Sequence, residues 1–232
     1  MKTVFHPAGE RGKVDFGWLH SHHSFSFGHW YNPEKLHFGA LRVLNDDQVR
    51  GGAGFGAHPH DNMEIVSIPL SGALAHKDST GTDGIINTGD VQIMSAGSGI
   101  QHSEFNASKT DAVNFLQVWV FPKLKDIKPR YEQKTFDMEQ ERGKWQVVVS
   151  PDAQDGGVWI NQDAVFALAT LEAGQTISYT PKFAGNGVFF FLLEGAAEAG
   201  GQLLAQRDAV GVWEAGSITV SATETSRILA IE

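Results

Sequence analysis

Two short pairs of possible metal ligands, both within one glycine-rich stretch, most constrain the fold of this 232-residue chain. His58 and His60 are separated by one residue, and so are His102 and Glu104. Side chains two residues apart on a β-strand point to the same face of the sheet. If two such strands meet inside a barrel, three imidazoles and one carboxylate converge on one point. That donor set suits iron, and also copper, nickel, manganese or zinc.

The residues around these pairs have the pattern of short strands separated by turns. Residues 65–70 and 91–94 are apolar runs typical of strands. Turn signals rich in glycine, aspartate and serine lie at residues 71–72, 78–81, 87–90 and 96–99. Further strands are predicted at residues 112–121, 146–150, 158–160, 165–171, 177–180, 188–193, 210–213, 218–220 and 228–231. No stretch keeps a helical period for more than a turn or two, so the sequence predicts an all-β fold.

Composition limits the chemistry and the location of the protein. The chain has no cysteine, which excludes disulfides, thiolate metal ligands and a cysteine nucleophile. Its first residues lack the apolar core of a signal peptide, and no apolar run approaches the length of a membrane span. We therefore expect a soluble, cytoplasmic protein without a membrane partner.

The negative charge is concentrated in the second half of the chain. Residues 1–134 carry 13 Lys/Arg and 14 Asp/Glu, a net of −1, whereas residues 135–232 carry 5 and 13, a net of −8. Direct binding of nucleic acid depends on neutralising phosphates with Lys and Arg, so this balance argues against it. We interpret the acidic half as a solvated surface.

The aromatic and histidine-rich N-terminal region is interpreted as packing. Residues 24–27 alternate like a strand with one apolar face, and Phe25 and Phe27 are expected in the core rather than in a pocket wall. His22 and His23 are neighbours, so at most one of them could face a metal, and hydrogen-bonded packing is the preferred interpretation.

Three other polar positions receive structural interpretations. Residues 38–49 are predicted to form two short strands around a tight turn at residues 45–47, which gives Asp46 and Asp47 a turn role. Arg42 could brace a carboxylate or face solvent. His76 is expected at the surface.

The spacing of the central motifs resembles that of the cupin superfamily. The first motif consists of Gly52, His58, His60, Glu64 and Gly72, and the second of Gly89, Gly97, His102 and Asn106. The chain departs from the pattern at Ser95, where a proline is usual, and at Gly72, which lies one residue late. Among cupins it resembles the pirin family, over residues 17–19, 23–27, 41–47, 58–60, 89–104 and 129–133.

The second half resembles a degraded copy of the first. The sequence around Leu193 parallels that around Leu70, and the sequence after Asp208 parallels that after Asp90. The same offsets bring Pro181, Phe183 and Val220 to the positions of His58, His60 and His102, and none of the three can bind a metal. We therefore expect a monomeric bicupin, built from two double-stranded β-helix barrels at residues 1–134 and 135–232, with one metal site in the first.

The resemblance implies a metal-dependent dioxygenase. Pirins are linked to the opening of flavonols such as quercetin, with O₂ consumed and carbon monoxide released. The implied metal is Fe(II), held by His58, His60, His102 and Glu104. Glu104 is either the catalytic base or a plain ligand, and both roles remain open. Glu64 is assigned to the residues around the site rather than to the metal.

Two other functions remain as alternatives. Animal pirin is described as an iron-dependent partner of transcription regulators, so the chain could instead be a metal-binding module that docks on a protein partner. A non-redox isomerase acting on a sugar phosphate is the weakest alternative, because only Arg42, Arg50 and Lys77 could supply cations near the motif.

Overall fold

The computed structural model describes residues 1–232, which form 22 β-strands and three short 3-10 helices. The strands are β1 Lys2–His6, β2 Gly12–Asp15, β3 Leu19–His23, β4 Leu41–Val49, β5 Gly54–His60, β6 Glu64–Ser71, β7 Ala73–Asp78, β8 Asp83–Asn87, β9 Asp90–Ser95, β10 Ile100–Asn106, β11 Val113–Val120, β12 Arg130–Thr135, β13 Gln146–Ser150, β14 Val158–Trp159, β15 Phe166–Leu171, β16 Thr176–Tyr179, β17 Val188–Glu194, β18 Ala197–Ala199, β19 Gln202–Leu204, β20 Ala209–Trp213, β21 Ile218–Ala222 and β22 Ser226–Ile231. The helices are Ala8–Glu10, Met138–Glu141 and Ala153–Asp155. No helix is both long and apolar enough to cross a membrane.

The chain divides into two compact units. The N-terminal barrel comprises Gly12–Phe136 and Val158–Gln162, and the C-terminal barrel comprises Met1–Arg11, Asp137–Gly157 and Asp163–Glu232. The prediction of an all-β bicupin is confirmed. The predicted boundary between residues 134 and 135 lies close to the main division after Phe136. However, Met1–Arg11 belongs to the C-terminal barrel and Val158–Gln162 to the N-terminal barrel.

The N-terminal segment departs from the predicted division because of a long-range strand pair. β1 pairs antiparallel with β20, from Lys2 opposite Trp213 to His6 opposite Ala209. The backbone hydrogen bonds of the first strand are therefore satisfied by a strand some two hundred residues later. Nothing in the local sequence of β1 indicates that partner.

In the N-terminal barrel two antiparallel sheets enclose the interior. One has the strand order β12-β9-β6-β11-β4-β3-β2 and the other the order β5-β10-β7-β8. Two apolar clusters occupy different parts of the interior: one includes Val49 and Phe115, and the other includes Ile65 and Ile100. Along β11, Phe115 belongs to the first cluster and Trp119 packs against the second, so Gln117 on the same face lies between them.

The C-terminal barrel has a continuous apolar core instead. Six of its strands are hydrogen-bonded in the order β1-β20-β17-β22-β15-β13, and four more in the order β16-β21-β18-β19. A single cluster of buried side chains, including Phe190, Val210, Val220 and Tyr179, fills the interior. Val220 lies opposite Ile177 across the β21–β16 pair, as His102 lies opposite His58 across β10 and β5.

That register corrects the internal alignment predicted from the sequence. Ile177 and Tyr179, rather than Pro181 and Phe183, lie on the strand that faces β21. Ile177 and Val220 have no metal-ligand atom, and the hydroxyl of Tyr179 donates to Glu232 Oε2 at 3.1 Å. Apolar side chains occupy the interior of the C-terminal barrel.

The prediction of a turn at residues 45–47 is wrong. Leu41–Val49 is one nine-residue strand, and Asn45, Asp46 and Asp47 are all buried within it. Each is held by the neighbouring strands: Asn45 lies opposite Gln117, and Asn114 Nδ2 donates to Asp46 Oδ1 at 2.8 Å. Cross-strand partners outweigh the weak strand propensity of Asn and Asp.

Two further expectations for this region also change. Residues 24–27 lie beyond the end of β3 and are not a strand, although Phe25 is fully buried as expected. Arg42 neither braces a carboxylate nor faces open solvent. Its Nη1 donates to the backbone oxygens of Ser26 and Leu36, at 2.7 and 3.2 Å.

Candidate metal centre

The antiparallel β5–β10 pair brings the two predicted ligand motifs together. His102 lies directly opposite His58, and the Nε2 atoms of the two rings are 3.0 Å apart. His58 Nδ1 lies 2.8 Å from the backbone oxygen of Gly56. Nδ1 is therefore the hydrogen-bond donor, and Nε2 carries an unshared lone pair. The strand prediction for both motifs is confirmed.

His60 completes a cluster of three imidazoles. Its ring centroid is 4.8 Å from that of His58 and 4.9 Å from that of His102. One nitrogen atom from each ring lies within 4.8 Å of the others, a spacing that a single metal ion could span. His60 Nε2 is buried and has no hydrogen-bond partner in the protein, which fits an atom that serves as a metal ligand.

The electrostatics of the cluster favour neutral rings. Burial, together with the neighbouring His58, lowers the pKa of His60 to about 4. Burial, together with the neighbouring histidines, lowers the pKa of His102 to about 3. Metal binding requires the unprotonated imidazole, so near neutral pH these rings do not have to release a proton before they bind a cation.

Glu104 faces the same cavity from β10 and is almost fully buried. Ser67 Oγ donates to its Oε1 at 3.0 Å, and Gln117 Nε2 donates to its Oε2 at 2.7 Å. Burial raises the pKa of Glu104 to about 7, against the opposing effect of those two hydrogen bonds. Each carboxylate oxygen keeps a further lone pair, so either oxygen of Glu104 could still coordinate a cation.

Glu104 belongs to a second group of possible ligands that shares His102. One donor atom each from His76, His102 and Glu104 lie within 4.8 Å of one another. A register shift between His102 and Glu104 places Glu104 opposite Phe55. The extra residue lies on β5, because β10 pairs with β7 in unbroken register from His102 to Asn106, so His102 and Glu104 keep the same face of β10.

The donors open onto a small cavity of about 70 Å³. Its walls are formed by aromatic, polar and candidate ligand side chains: Phe27, Asn45, Asp47, Phe55, His58, His60, His102, Glu104, Gln117 and Trp119. Phe27 was expected in the core, and that expectation is wrong. Its ring instead packs edge-on against Trp119, with centroids 5.2 Å apart, and lines the cavity. Typical ligand pockets are several times larger, about 300–1,000 Å³.

Asp47 is a second carboxyl group in the cavity wall that the sequence interpretation missed. It accepts a short hydrogen bond from Ser21 Oγ and is 4% exposed. Burial, together with the nearby Asp46 and Glu104, raises the pKa of Asp47 to about 7, against the opposing effect of the Ser21 hydrogen bond. The available signal was the two-residue period that links Leu41, Val43 and Val49, because it puts Asp47 on the same face as these apolar residues.

Asn45 lies two residues before Asp47 on the same face of β4. It is 3% exposed and lines the cavity, and its Oδ1 has no hydrogen-bond partner in the protein. The indole Nε1 of Trp119 is likewise buried without a partner. A ligand in this cavity would therefore meet both an acceptor and a donor that the fold itself does not use.

The expectation that His76 lies at the surface is wrong. It is 1% exposed, its Nε2 lies 3.1 Å from Asp78 Oδ2, and its ring centroid is 4.8 Å from that of Tyr131. Burial lowers its pKa, although the hydrogen bond and charge of Asp78 oppose that shift.

Glu64 is held away from the histidine cluster by hydrogen bonds of its own. Its Oε2 accepts from Ser95 Oγ at 2.8 Å and from the backbone N–H of Asn161 at 3.1 Å. These contacts fit its predicted place among the surrounding residues. Ser95, at the position where cupins usually carry a proline, supplies one of the two donors.

Comparisons with known proteins match this architecture. A family model described as Pirin matches residues 4–120, and one described as the quercetinase C-terminal cupin domain matches residues 147–232. The chain is 40% identical over 223 residues to a quercetin 2,3-dioxygenase of Escherichia coli, covering 96% of this chain and 94% of the relative. It is 36% identical over 227 residues to a pirin-like protein of Caulobacter vibrioides, with 97% of each chain covered.

A solved structure resembles it over nearly the whole length. The crystal structure of the bacterial pirin YhhW from Escherichia coli in complex with nickel(II) matches with a TM-score of 0.93 and 36% identity, covering 99% of this chain and 98% of that chain. The two barrels and the cluster of histidines in the first define a dioxygenase-like bicupin. The chain belongs to the pirin family.

Proposed function

We propose that this protein is a metal-dependent dioxygenase that opens a small phenolic or enolic substrate, such as a flavonol like quercetin, with release of carbon monoxide. The supporting observation is the meeting of three imidazoles, from His58, His60 and His102, in one cavity beside Glu104. The E. coli relative is named for quercetin dioxygenation, and the E. coli pirin structure contains nickel(II).

His58, His60, His102 and Glu104 would hold one divalent ion, most simply Fe(II), with nickel, copper, manganese or zinc as alternatives. When bound, the ion would supply Lewis acidity and a template for substrate and O₂. Burial lowers the pKa values of His60 and His102, and all four donors lie on two hydrogen-bonded strands.

Glu104 is the proposed base of the reaction. Its carboxylate faces the cavity, and Ser67 and Gln117 hold its two oxygens in place. A carboxylate positioned in this way can accept the proton of a substrate hydroxyl group. Removing the charge of Glu104 should therefore slow turnover more than it weakens substrate binding.

The other walls of the cavity would orient the substrate. Phe27, Phe55 and Trp119 present aromatic surface to the rings of a phenolic substrate, and such ring pairs contribute about 0.5–1.5 kcal/mol beyond their buried area. Asn45 offers a free acceptor for a second hydroxyl group. Because the cavity itself is small, most of a three-ring flavonol would have to lie toward its mouth.

The test is an oxygen-dependent flavonol assay on protein of known metal content. Protein purified without chelators is analysed for bound metals, loaded with Fe(II), and mixed with quercetin in air and under anaerobic conditions. We expect the quercetin absorbance to fall only in air, with carbon monoxide released in proportion. His102→Ala should remove the activity, whereas His20→Ala, which changes an exposed histidine on β3, should retain it.

Absence of turnover by fully loaded wild-type protein, in air and across several flavonols, would contradict the enzymatic proposal. Equal activity of the His102→Ala variant would contradict the assigned site. Activity that is independent of O₂ would exclude a dioxygenase and favour another class of cupin chemistry.

A further inference from the structure

Asp47 is a buried carboxyl group in the cavity wall that the proposed reaction does not use. Its Oδ1 accepts from Ser21 Oγ, whereas its Oδ2 accepts from no group of the protein. The side chain lines the metal cavity and is 4% exposed. Burying a carboxyl group that has only one hydrogen-bond partner is unfavourable, so the presence of Asp47 in this wall requires an explanation.

The register of β4 places Asp47 close to the proposed base of the reaction. Asn45 lies two residues earlier on the same face of β4 and directly opposite Gln117. Gln117 Nε2 in turn donates to Glu104 Oε2 at 2.7 Å. Burial raises the pKa of Asp47 to about 7, and the charge of Glu104 contributes to that rise, as expected for two carboxyl groups in one cavity. A substrate held beside Glu104 would therefore also lie beside Asp47.

The charges of the cavity wall favour a ligand that donates hydrogen bonds. No lysine or arginine lines the cavity, and Asp47 and Glu104 are its two acidic groups. Burial lowers the pKa of His60 to about 4 and that of His102 to about 3, so these rings carry no charge near neutral pH. A carboxylate or phosphate group placed against this wall would meet like charge without a cationic side chain, whereas a hydroxyl group can donate to a carboxylate.

We propose that Asp47 is a specificity-determining residue that selects a neutral substrate with adjacent hydroxyl groups: Asp47 Oδ2 accepts a hydrogen bond from one hydroxyl, while its neighbour faces Glu104 and the metal ligands. The same contact rejects a compound in which a carboxylate replaces that hydroxyl. The inference rests on the proposed function, because it places the substrate in the cavity beside Glu104. It explains why a carboxyl group that reduces stability is present there, since the substrate completes its hydrogen bonds.

Catechol and salicylate provide a matched pair of probes. Both have one ring and one phenolic hydroxyl group, next to which catechol carries a second hydroxyl and salicylate a carboxylate. Ligand-observed NMR titration of the Zn²⁺-loaded protein, under nitrogen, measures both dissociation constants without turnover, because Zn²⁺ has no redox chemistry. At pH 8 Asp47 is largely ionised, since its pKa is about 7.

We expect the substitution of Asp47 to change the two affinities in opposite directions. Asp47→Leu removes both the charge and the acceptor, and losing a hydrogen bond to a charged group weakens binding about 10–100-fold, so catechol should bind more weakly by that factor. Salicylate should bind this variant more tightly than wild type, because the like charge is gone. Asp47→Asn keeps an oxygen acceptor, so it should weaken catechol binding by less and still strengthen salicylate binding.

Asp46→Asn is the matched control. Asp46 is the next residue of β4 and is 8% exposed, but it accepts from Asn114 Nδ2 and does not line the cavity. Both dissociation constants of this variant should stay within twofold of wild type. Circular dichroism checks that each variant is folded, and Asp47→Asn alone decides the outcome if Asp47→Leu does not fold.

Affinities for catechol and salicylate that change in the same direction, or that stay within twofold of wild type, in folded Asp47→Asn would overturn this role of Asp47. Wild-type protein that binds neither compound would also overturn it. The flavonol assay in air decides the enzymatic proposal separately. Turnover without opposite changes in the two affinities contradicts only the role of Asp47, and opposite changes without turnover contradict only the dioxygenase.

Discussion

His102 and His58 meet at a point where two paired strands turn the same face toward the barrel interior, with their Nε2 atoms 3.0 Å apart. Two neutral imidazole nitrogens at that distance either share one proton or face a common cation. The Nδ1–H of His58 donates a hydrogen bond to the backbone oxygen of Gly56, which leaves the lone pair of His58 Nε2 free for a cation. The geometry of the cavity thus follows from the β5–β10 register.

His58→Ala or His102→Ala should abolish stoichiometric metal loading while the β fold is retained. Each substitution removes one of three nitrogen donors from the centre of the cluster, and neither residue lies in an apolar core cluster. Elemental analysis after Ni²⁺ loading measures the metal content, and far-UV circular dichroism measures the fold. Retained stoichiometric metal in both variants would refute the assigned ligands, and His20→Ala serves as the control.

Asp47→Asn should change how stability depends on pH. The folded-state pKa of Asp47 is raised to about 7, whereas an unfolded aspartate titrates near about 3.9. Between these values the folded state binds a proton that the unfolded state has lost, so the unfolding free energy of the wild type falls as pH rises from 4 to 7. Asparagine cannot ionise, so the unfolding free energy of the variant does not fall in this way as pH rises.

We therefore expect the Asp47→Asn variant to gain stability relative to wild type between pH 5 and pH 8, by on the order of 2 kcal/mol. Urea unfolding of the apo proteins at both pH values measures the difference. Asp83→Asn, at an exposed carboxylate, controls for the change in net charge. If the unfolding free energies of wild type and variant differ by the same amount at pH 5 and at pH 8, the pKa of Asp47 is not raised.

Phe27→Ala should widen the cavity and relax its discrimination by size. The Phe27 ring packs against Trp119 and His23, with centroids 5.2 Å away in both contacts. Truncation removes one of the aromatic walls of a cavity of only about 70 Å³. We expect the affinity for three-ring flavonols to rise relative to that for a one-ring catechol, because both ligands lose the ring contact with Phe27 and only the larger one gains room. Equilibrium dialysis with both ligands checks this, and Phe16→Ala, at an exposed phenylalanine, is the control.

Arg227→Met should destabilise the C-terminal barrel without changing metal affinity. Arg227 donates through Nε and Nη2 to the buried carboxylate of Glu141, at 2.7 and 3.2 Å. Removing one member of a buried pair leaves an uncompensated charge and typically costs about 3–5 kcal/mol. Lys2–Glu214 is an exposed ion pair and serves as the comparison. Lys2→Met should lower the unfolding free energy by less than about 1 kcal/mol. Denaturant unfolding of both variants measures these costs, and equal costs would contradict the distinction.

The sequence predicted the fold class and the candidate ligands because both depend on local patterns. A two-residue period places His58 with His60 and His102 with Glu104 whatever the remainder of the chain does. The turn-rich sequence without helical periods likewise indicated an all-β fold. The resemblance to cupins and the internal repeat implied two β-barrels, and the structure contains both.

The missed features depend on partners distant in sequence. Asp47 resembled a turn residue because asparagine and aspartate favour turns, and only β3 and β11 make it a buried strand position. The burial of His76 follows from its contacts with Asp78 and Tyr131. β1 becomes a strand only through its pairing with β20.

Anomalous diffraction from a crystal loaded with Ni²⁺ tests the central claim most directly. The account predicts one strong peak in the N-terminal barrel, within about 2.0–2.3 Å of one nitrogen each of His58, His60 and His102 and one oxygen of Glu104. A peak bound elsewhere in the chain, or no peak between these four side chains at saturating Ni²⁺, would contradict it.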